Sequence, residues 1–178
     1  IIYGSTVSVY GEKIDQEIYF EDSIKLPYSS YGITKLAAEE YLFKHFSSQS
    51  WILRFSPVYF ENFMLNINRR SKVKSIYFKV GDGETKLSLC NLENIFVVIE
   101  GIINDKIPQG VFNVSDKKYY SYNDILSNLG ARYIVRIPRF IVSIFYIIGK
   151  ISGSIFLKEN SIKLISDNIF PSEKIKKY

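Results

Sequence analysis

The sequence predicts an alternating α/β fold built on a parallel sheet, and three observations carry that prediction. A strand-like run from Ile1 to Ser5, a long helical segment from about Tyr31 to Phe46 and a second strand, "WILRF" from Trp51 to Phe55, follow in the order of a βαβ unit. A hydrophobic share of 47% over 178 residues is enough for one proper core. Turn signals separate the segments, with no internal repeat and no low-complexity linker.

The first strand runs into "YGSTVSVYG", where Ser5, Thr6 and Ser8 cluster at the strand end. Serine and threonine there ordinarily terminate a strand and shape a turn. A loop through Pro27 leads to the helix that begins in "SSYGITKLAAEEY", and Trp51 to Phe55 returns to the sheet. Beyond it, "KSIYFKVGDGETKLSL" has two short strand-like runs around Gly81-Asp82-Gly83, a turn signal that takes this region out of the main sheet. Asn91 to Ile103 resumes helical spacing through Leu92, Ile95, Phe96 and Ile99, and "GVFNV", Gly110 to Val114, reads as a further strand. In "SYNDILSNLG", Ser121 offers a cap, Asp124 stands three residues later and Gly130 is a stop. The strand "RYIVRI", a helix opened by Pro138 and a short helix near Asn160 to Ser166 complete the order.

Composition narrows the function. A lone Cys90 excludes an intramolecular disulfide framework, and one Cys with the single His45 leaves too few soft ligands for an ordinary structural zinc site. His45 follows Lys44 near a helix end, where it suits the macrodipole, and Cys90 in its apolar run reads as a small core residue. A reducing cytoplasm is the simplest compartment. The net charge of +5 favours anionic partners, but the basic residues are scattered and no basic block with interleaved aromatics marks a nucleic-acid surface, so phosphate-bearing small molecules suit the chain as well as nucleic acid does. Glu39 and Glu40 read as a solvated helix face, with Glu39 one turn from Lys35 and able to pair with it.

The longest apolar stretch, "RFIVSIFYIIGKISGSIFL", is interrupted by Lys150, two glycines and three serines, and falls short of the about 20 apolar residues a span needs. Pro138 stands at its first turn, and Ile141, Ile144, Phe145 and Ile148 share one face. A buried or interfacial helix is expected, with peripheral membrane contact as one reading of it.

Tyr31 and Lys35 stand four positions apart. With 14 tyrosines in a lysine-rich chain, about one Tyr-x-x-x-Lys match is expected by chance, and Tyr146 with Lys150 makes a second. Context separates the two. Tyr146 and Lys150 lie in the apolar helix, where an aromatic and a snorkelling lysine need no chemistry. Tyr31 opens a helix that follows a strand, the place where open α/β sheets bind ligands, and Lys35 lies one turn on along the same face. A phenol ordinarily titrates near 10, and a nearby ammonium and a cationic cofactor favour its phenolate, which can exchange protons with an alcohol. A hydroxyl from the Ser5–Thr6–Ser8 cluster would hold the reacting oxygen.

Taken together, "STVSVYG", "YGITKLAAEEYL" and "WILRFSPVY", followed by "GDGETKLSLCNLENI", "GVFNVSD" and "LISDNIFPSEKIKKY", resemble the extended short-chain dehydrogenase/reductase family, the nucleotide-sugar epimerases and dehydratases. "LSLCNLENI" and "FNVSD" look most like bacterial polysaccharide-locus members. The resemblance implies the C-terminal part of a Rossmann-like doubly wound parallel sheet plus a small α/β substrate-binding region. Residues 1–56 would be the second half of the Rossmann-like domain with the catalytic helix. Residues 57–178 would be mainly the substrate-binding region, with 91–114 returning to the sheet.

By position, the resemblance makes Thr6 the catalytic hydroxyl with Ser5 beside it at the cofactor, and Tyr31 the acid/base. Lys35 would lower the Tyr31 pKa and bind the nicotinamide ribose. Pro57 and Val58 would border the cofactor, NAD or NADP, while Ser56, Ser8, Thr6 and Lys86 would meet the nucleotide-sugar substrate. Two stretches depart from the family pattern. Val58-Tyr59-Phe60-Glu61 stands where many members have Val-Tyr-Gly-Pro, and Leu87 beside Lys86 where many have an arginine that grips the nucleotide phosphates, a task for which Lys86, or Arg69 and Arg70, would be the substitutes. The Gly-rich turn that cradles the dinucleotide phosphates is not in this sequence, and the first strand opens on Ile1 without a cap or turn, so a partial chain is expected. A homodimer is implied by resemblance. The rival expectation is a truncated, non-catalytic remnant or binding domain.

Overall fold

The computed structural model describes residues 1–11, 13–61 and 63–178. In chain order the elements are β1 (Ile2–Thr6), α1 (Ser30–Phe46), β2 (Trp51–Phe55), β3 (Val58–Tyr59), α2 (Leu65–Ser71), β4 (Lys72–Val73), β5 (Ile76–Val80), β6 (Lys86–Ser88), β7 (Cys90–Asn91), α3 (Leu92–Ile103), β8 (Gly110–Val114), β9 (Tyr119–Ser121), α4 (Tyr122–Asn128), β10 (Ile134–Ile137), α5 (Arg139–Ser152) and α6 (Ile155–Ile165).

Strands β1, β2 and β8 form a parallel sheet in that order, with Ile2 opposite Trp51 and Trp51 opposite Gly110. The two-residue alternation of a strand sends β2 side chains to opposite faces. Trp51, Leu53 and Phe55 pack with Val98, Ile102, Ile107, Phe112 and Val114, so α3 covers that face. Ile52 and Arg54 face α1, where Arg54 meets Glu39. Helices on both faces of parallel strands are the doubly wound arrangement that the βαβ order predicts.

The rest of the chain forms smaller units around the sheet's C-terminal edge. Strand β10 pairs parallel with β5, which pairs antiparallel with β4, while β6 pairs with β9 and β3 with β7. The two runs flanking Gly81-Asp82-Gly83 are therefore not paired with each other: each has a partner from later in the chain, and β5 also pairs with β4. Ile67, Leu87, Leu89, Tyr122 and Ile125 form one core there, and Val80, Val142 and Ile165 another that joins β5 to α5 and α6.

Capping agrees with the sequence. The Ser121 side chain accepts from the Asp124 backbone N–H and the Asp124 side chain accepts from Ser121, a complete capping box, and Gly130 follows at φ 62°. Ser29 caps α1 by accepting from Gly32, and Asn91 caps α3 by accepting from Glu93.

Candidate active-site cleft

β1 ends at Thr6 and a short 3₁₀ turn over Val7–Val9 follows, capped by the Thr6 hydroxyl, which accepts from the Ser8 backbone N–H at 3.2 Å. The Thr6 and Ser8 hydroxyls also meet at 3.3 Å. Gly11 takes φ +61°, and a Cβ there would stand 1.9 Å from the Leu26 carbonyl oxygen, so the loop to α1 can close this tightly only with glycine. That closure sets the N-terminus of α1 beside the end of β1.

Tyr31, in the first turn of α1, is 57% exposed. The Lys35 ammonium lies 5.9 Å from the Tyr31 ring centroid and 4.9 Å from that of Tyr3, and it donates to the Gly4 carbonyl at 2.7 Å. That bond ties the lysine to β1 two residues before Thr6 and leaves its other N–H groups available.

On the far side of the cleft, the Ser56–Val58 segment is held by its backbone. Ser56 N–H donates to Val114 at 3.1 Å, Pro57 accepts from Cys90 N–H at 3.1 Å, and Val58 accepts from the Asn66 side chain at 2.9 Å. Next to it, Tyr59 and Tyr120 both donate to Asp116 Oδ2 at 2.9 Å, while Asn91 N–H and Asn94 Nδ2 donate to Oδ1 at 2.7 Å. Burial, with the neighbouring Asp116 charge, holds the Tyr59 phenol above its ordinary pKa and keeps it a donor. Tyr59 thereby anchors the strand just before Phe60 and Glu61, where the chain departs from Val-Tyr-Gly-Pro.

These elements enclose a cleft of about 760 Å³ whose lining includes Ser5, Thr6, Ser8, Tyr31, Ser56, Pro57 and Val58. It thus collects hydroxyls and a phenol that are up to 51 positions apart in the sequence. Lys35 stands behind Tyr31, and Lys86 is not among the lining residues: its backbone is bonded to Asp167 and Asn168. Arg69 and Arg70 of α2 do line the cleft, together with Lys163 of α6, and no acidic residue is in the lining among the described residues. Lys163 is paired with Glu159 one turn back on α6 at 3.6 Å, so Arg69 and Arg70 carry most of the positive field in the cleft. The Ser56 hydroxyl, on a residue only 1% exposed, and Arg70 Nη1 are buried without hydrogen-bond partners among the described residues. Unpaired polar atoms in a cleft point to a ligand that completes them.

Asn160 and Lys163 joined the cleft without any sequence signal, because α6 is far from the motifs and its helical pattern is weak. Glu39 corrects an expectation. It does not lie on a solvated face or pair with Lys35; it is 4% exposed and binds Arg54, with Nη2 to Oε2 at 2.7 Å and Nε to Oε1 and Oε2 at 3.1 and 3.2 Å. Ser5 donates to the same carboxylate. The charged residue inside the apolar run "WILRF" was the available signal, since a buried arginine requires a buried partner. A larger hollow, about 1070 Å³, lies on this α1 face and is lined by Leu36, Phe43, Ile52 and Arg54, but Thr6, Tyr31 and Ser56 do not reach it.

No family model and no curated protein matches the chain. Solved structures do. UDP-glucuronic acid 4-epimerase from Bacillus cereus in complex with NAD is similar over 77% of this chain and 48% of its own, at 25% identity and a TM-score of 0.60. dTDP-glucose 4,6-dehydratase from Bacillus anthracis in complex with NAD is similar over 99% of this chain and 54% of its own, at 15% identity and a TM-score of 0.63. The Bordetella bronchiseptica enzyme WbmG in complex with NAD and UDP is similar over 99% and 51%, at 19% identity and a TM-score of 0.64. The chain spans about half the length of these structures. The neighbours bear out the resemblance to extended short-chain dehydrogenases/reductases and the Rossmann-like α/β fold class.

Proposed function

We propose that the protein containing this chain is an NAD(P)-dependent nucleotide-sugar epimerase, 4-reductase or dehydratase of bacterial polysaccharide biosynthesis. One observation carries the reading: Thr6, Tyr31 and the Ser56–Val58 segment line a single cleft, with Lys35 behind the tyrosine. The family neighbours crystallised with NAD and with UDP support the cofactor and the substrate class.

The residues fit the nicotinamide end of such a cofactor. Lys35 and Tyr31 would hold its ribose, and Ser5, Pro57 and Val58 would border its ring. When bound, the nicotinamide supplies hydride exchange with a sugar carbon, and the chain supplies positioning and proton handling. Thr6 orients the reacting hydroxyl. As the sugar alcohol becomes a carbonyl, its proton passes to the Tyr31 oxygen, and it returns when the alcohol re-forms. Arg69 and Arg70, with Lys163 beside its partner Glu159, would receive the substrate diphosphate, for which their guanidinium groups are suited.

Replacing Tyr31 by Phe in the full-length enzyme tests the reading. General acid/base catalysis contributes about 10²- to 10⁴-fold, so turnover should fall by that order while nucleotide-sugar binding persists. Near-normal turnover would overturn the role given to Tyr31, whereas a full-length protein that binds nucleotide sugar but turns none over would favour the rival reading, a non-catalytic binding domain.

A further inference from the structure

Helix α5 lies outside the catalytic reading, and its surface is unlike that of an ordinary exposed helix. Val142 and Gly149 turn inward, Val142 joining the core of Val80 and Ile165. A Cβ at Gly149 would come within 2.8 Å of Lys158 N, so the glycine lets α6 pack directly on α5 as a hairpin. The opposite face carries Phe140, Ile144, Ile147 and Ile151 at helical spacing, all exposed, with Ile151 at 82%. Ile155 and Phe156 continue the exposed apolar surface at the hairpin turn.

Charge is distributed just as unevenly. Residues 131–158 include Arg132, Arg136, Arg139, Lys150 and Lys158 and no aspartate or glutamate. Among the described residues none of these five is in a salt bridge. Arg136 and Arg139 donate to backbone carbonyls, and Lys158 stacks on the Tyr28 ring, 3.6 Å from its centroid. Asp82, held below the ordinary carboxylate range chiefly by its bond from the Glu84 N–H and in part by Arg136 and Arg139, is one anion beside this rim, and Glu159, next to Lys158, is paired with Lys163. A covering protein element would need acidic groups to match this rim, whereas anionic lipid headgroups match it by composition, with apolar chains beneath them.

We infer that the α5–α6 hairpin is an interfacial membrane-docking surface, in which the Phe140–Ile151 stripe enters the acyl boundary of an anionic lipid leaflet and the surrounding Arg and Lys residues meet its headgroups. No helix is long and apolar enough to cross a membrane, and an in-plane helix does not need to be. Phe156 also lines the cleft, so the docked hairpin and the cleft share a wall.

The test is co-sedimentation of the full-length protein with vesicles of phosphatidylcholine alone or mixed with phosphatidylglycerol. Binding to the anionic vesicles should exceed binding to the neutral ones by about tenfold or more and weaken with added salt. Ile147→Glu with Ile151→Glu should abolish it with an unchanged circular dichroism spectrum, and Lys150→Glu, which leaves the stripe intact, should weaken it several-fold. Absence of binding, or binding that both variants leave intact, overturns the inference. So does a protein whose Ile147→Glu/Ile151→Glu variant changes only its sedimentation mass, because the face is then covered by a second copy.

Discussion

Glu39 and Arg54 form a buried bidentate ion pair that joins the helix carrying Tyr31 to the strand leading to Ser56. The Arg54 guanidinium also donates to the Tyr10 hydroxyl at 2.9 Å, and Tyr10 donates to Asn113 at 2.6 Å, so α1, β2 and β8 share one polar network. Burial works against the Arg54 charge, but its bonds to Glu39 and the neighbouring Tyr10 oxygen outweigh that and raise its pKa. Ser5, one residue before the Thr6 hydroxyl, donates into the same carboxylate.

Removing one partner of such a pair leaves an uncompensated buried charge. Arg54→Met or Glu39→Gln should each lower stability by about 3–5 kcal/mol, and the double variant should cost less than the sum of the two. Urea unfolding midpoints of the three variants check this. Strict additivity would mean that the two side chains are not coupled.

Alkaline pH should destabilise the fold through two buried groups. Burial pushes the Cys90 thiol up to about 12 from its ordinary 9.0, and burial, partly offset by Arg54, pushes the Tyr10 phenol up to about 12 from 10.0. Both are held neutral in the fold. Their contribution is therefore complete below about pH 9 and is lost as pH rises towards about 12, because the unfolded chain releases these protons first. Urea midpoints at pH 7, 9 and 10.5 should fall in that order. At pH 8 Cys90 should resist a disulfide reagent until urea is added, and immediate labelling of the native protein would contradict its burial.

What was legible in the sequence followed the range of the interaction. The βαβ order, the Ser121–Asp124 capping box and the Gly130 stop are local signals, and the structure has them where the spacing puts them. The cleft was legible only through several motifs in order, since no periodicity shows that Thr6 and Ser56 will face one space. Glu39 was misread because a glutamate in a helix looks solvated until its partner, 15 positions away on a strand, is known. The partners of β5 and β6 were equally hidden, because β10 and β9 arrive later in the chain and the Gly-Asp-Gly signal marks a turn without saying what pairs on either side.

Arg69 and Arg70 allow substrate binding to be separated from chemistry. Neither is near the Tyr31–Lys35 pair by sequence, yet both line the cleft with Lys163. If they grip the diphosphate equally in ground and transition states, Arg69→Ala and Arg70→Ala should raise KM by about tenfold or more with little change in kcat. A loss confined to kcat would place them at the reacting carbon instead. Lys86→Ala, outside the lining, should leave KM within about twofold.

Gly32 gives the sharpest test of the site's geometry, because two physical effects predict opposite outcomes. In a helix, Ala is favoured over Gly by about 1 kcal/mol, so Gly32→Ala judged by propensity alone would stabilise the protein. A Cβ at Gly32, however, would stand 2.8 Å from the Ser8 carbonyl oxygen and 2.9 Å from Pro27 Cβ. The oxygen belongs to backbone in the turn that follows Thr6, and the proline is in the closed loop, so neither can swing aside as a flexible side chain would. The first turn of α1 must then move away from the end of β1, taking Tyr31 with it. Misplacement of a catalytic group by about 1 Å can cost on the order of 10²-fold in rate. Gly32→Ala should therefore lower turnover by about 10- to 100-fold and leave stability unchanged or reduced by about 1–2 kcal/mol, measured by initial rates and by thermal unfolding of the same preparation. A more stable and fully active Gly32→Ala enzyme would show that the Tyr31–Thr6 separation does not depend on this contact.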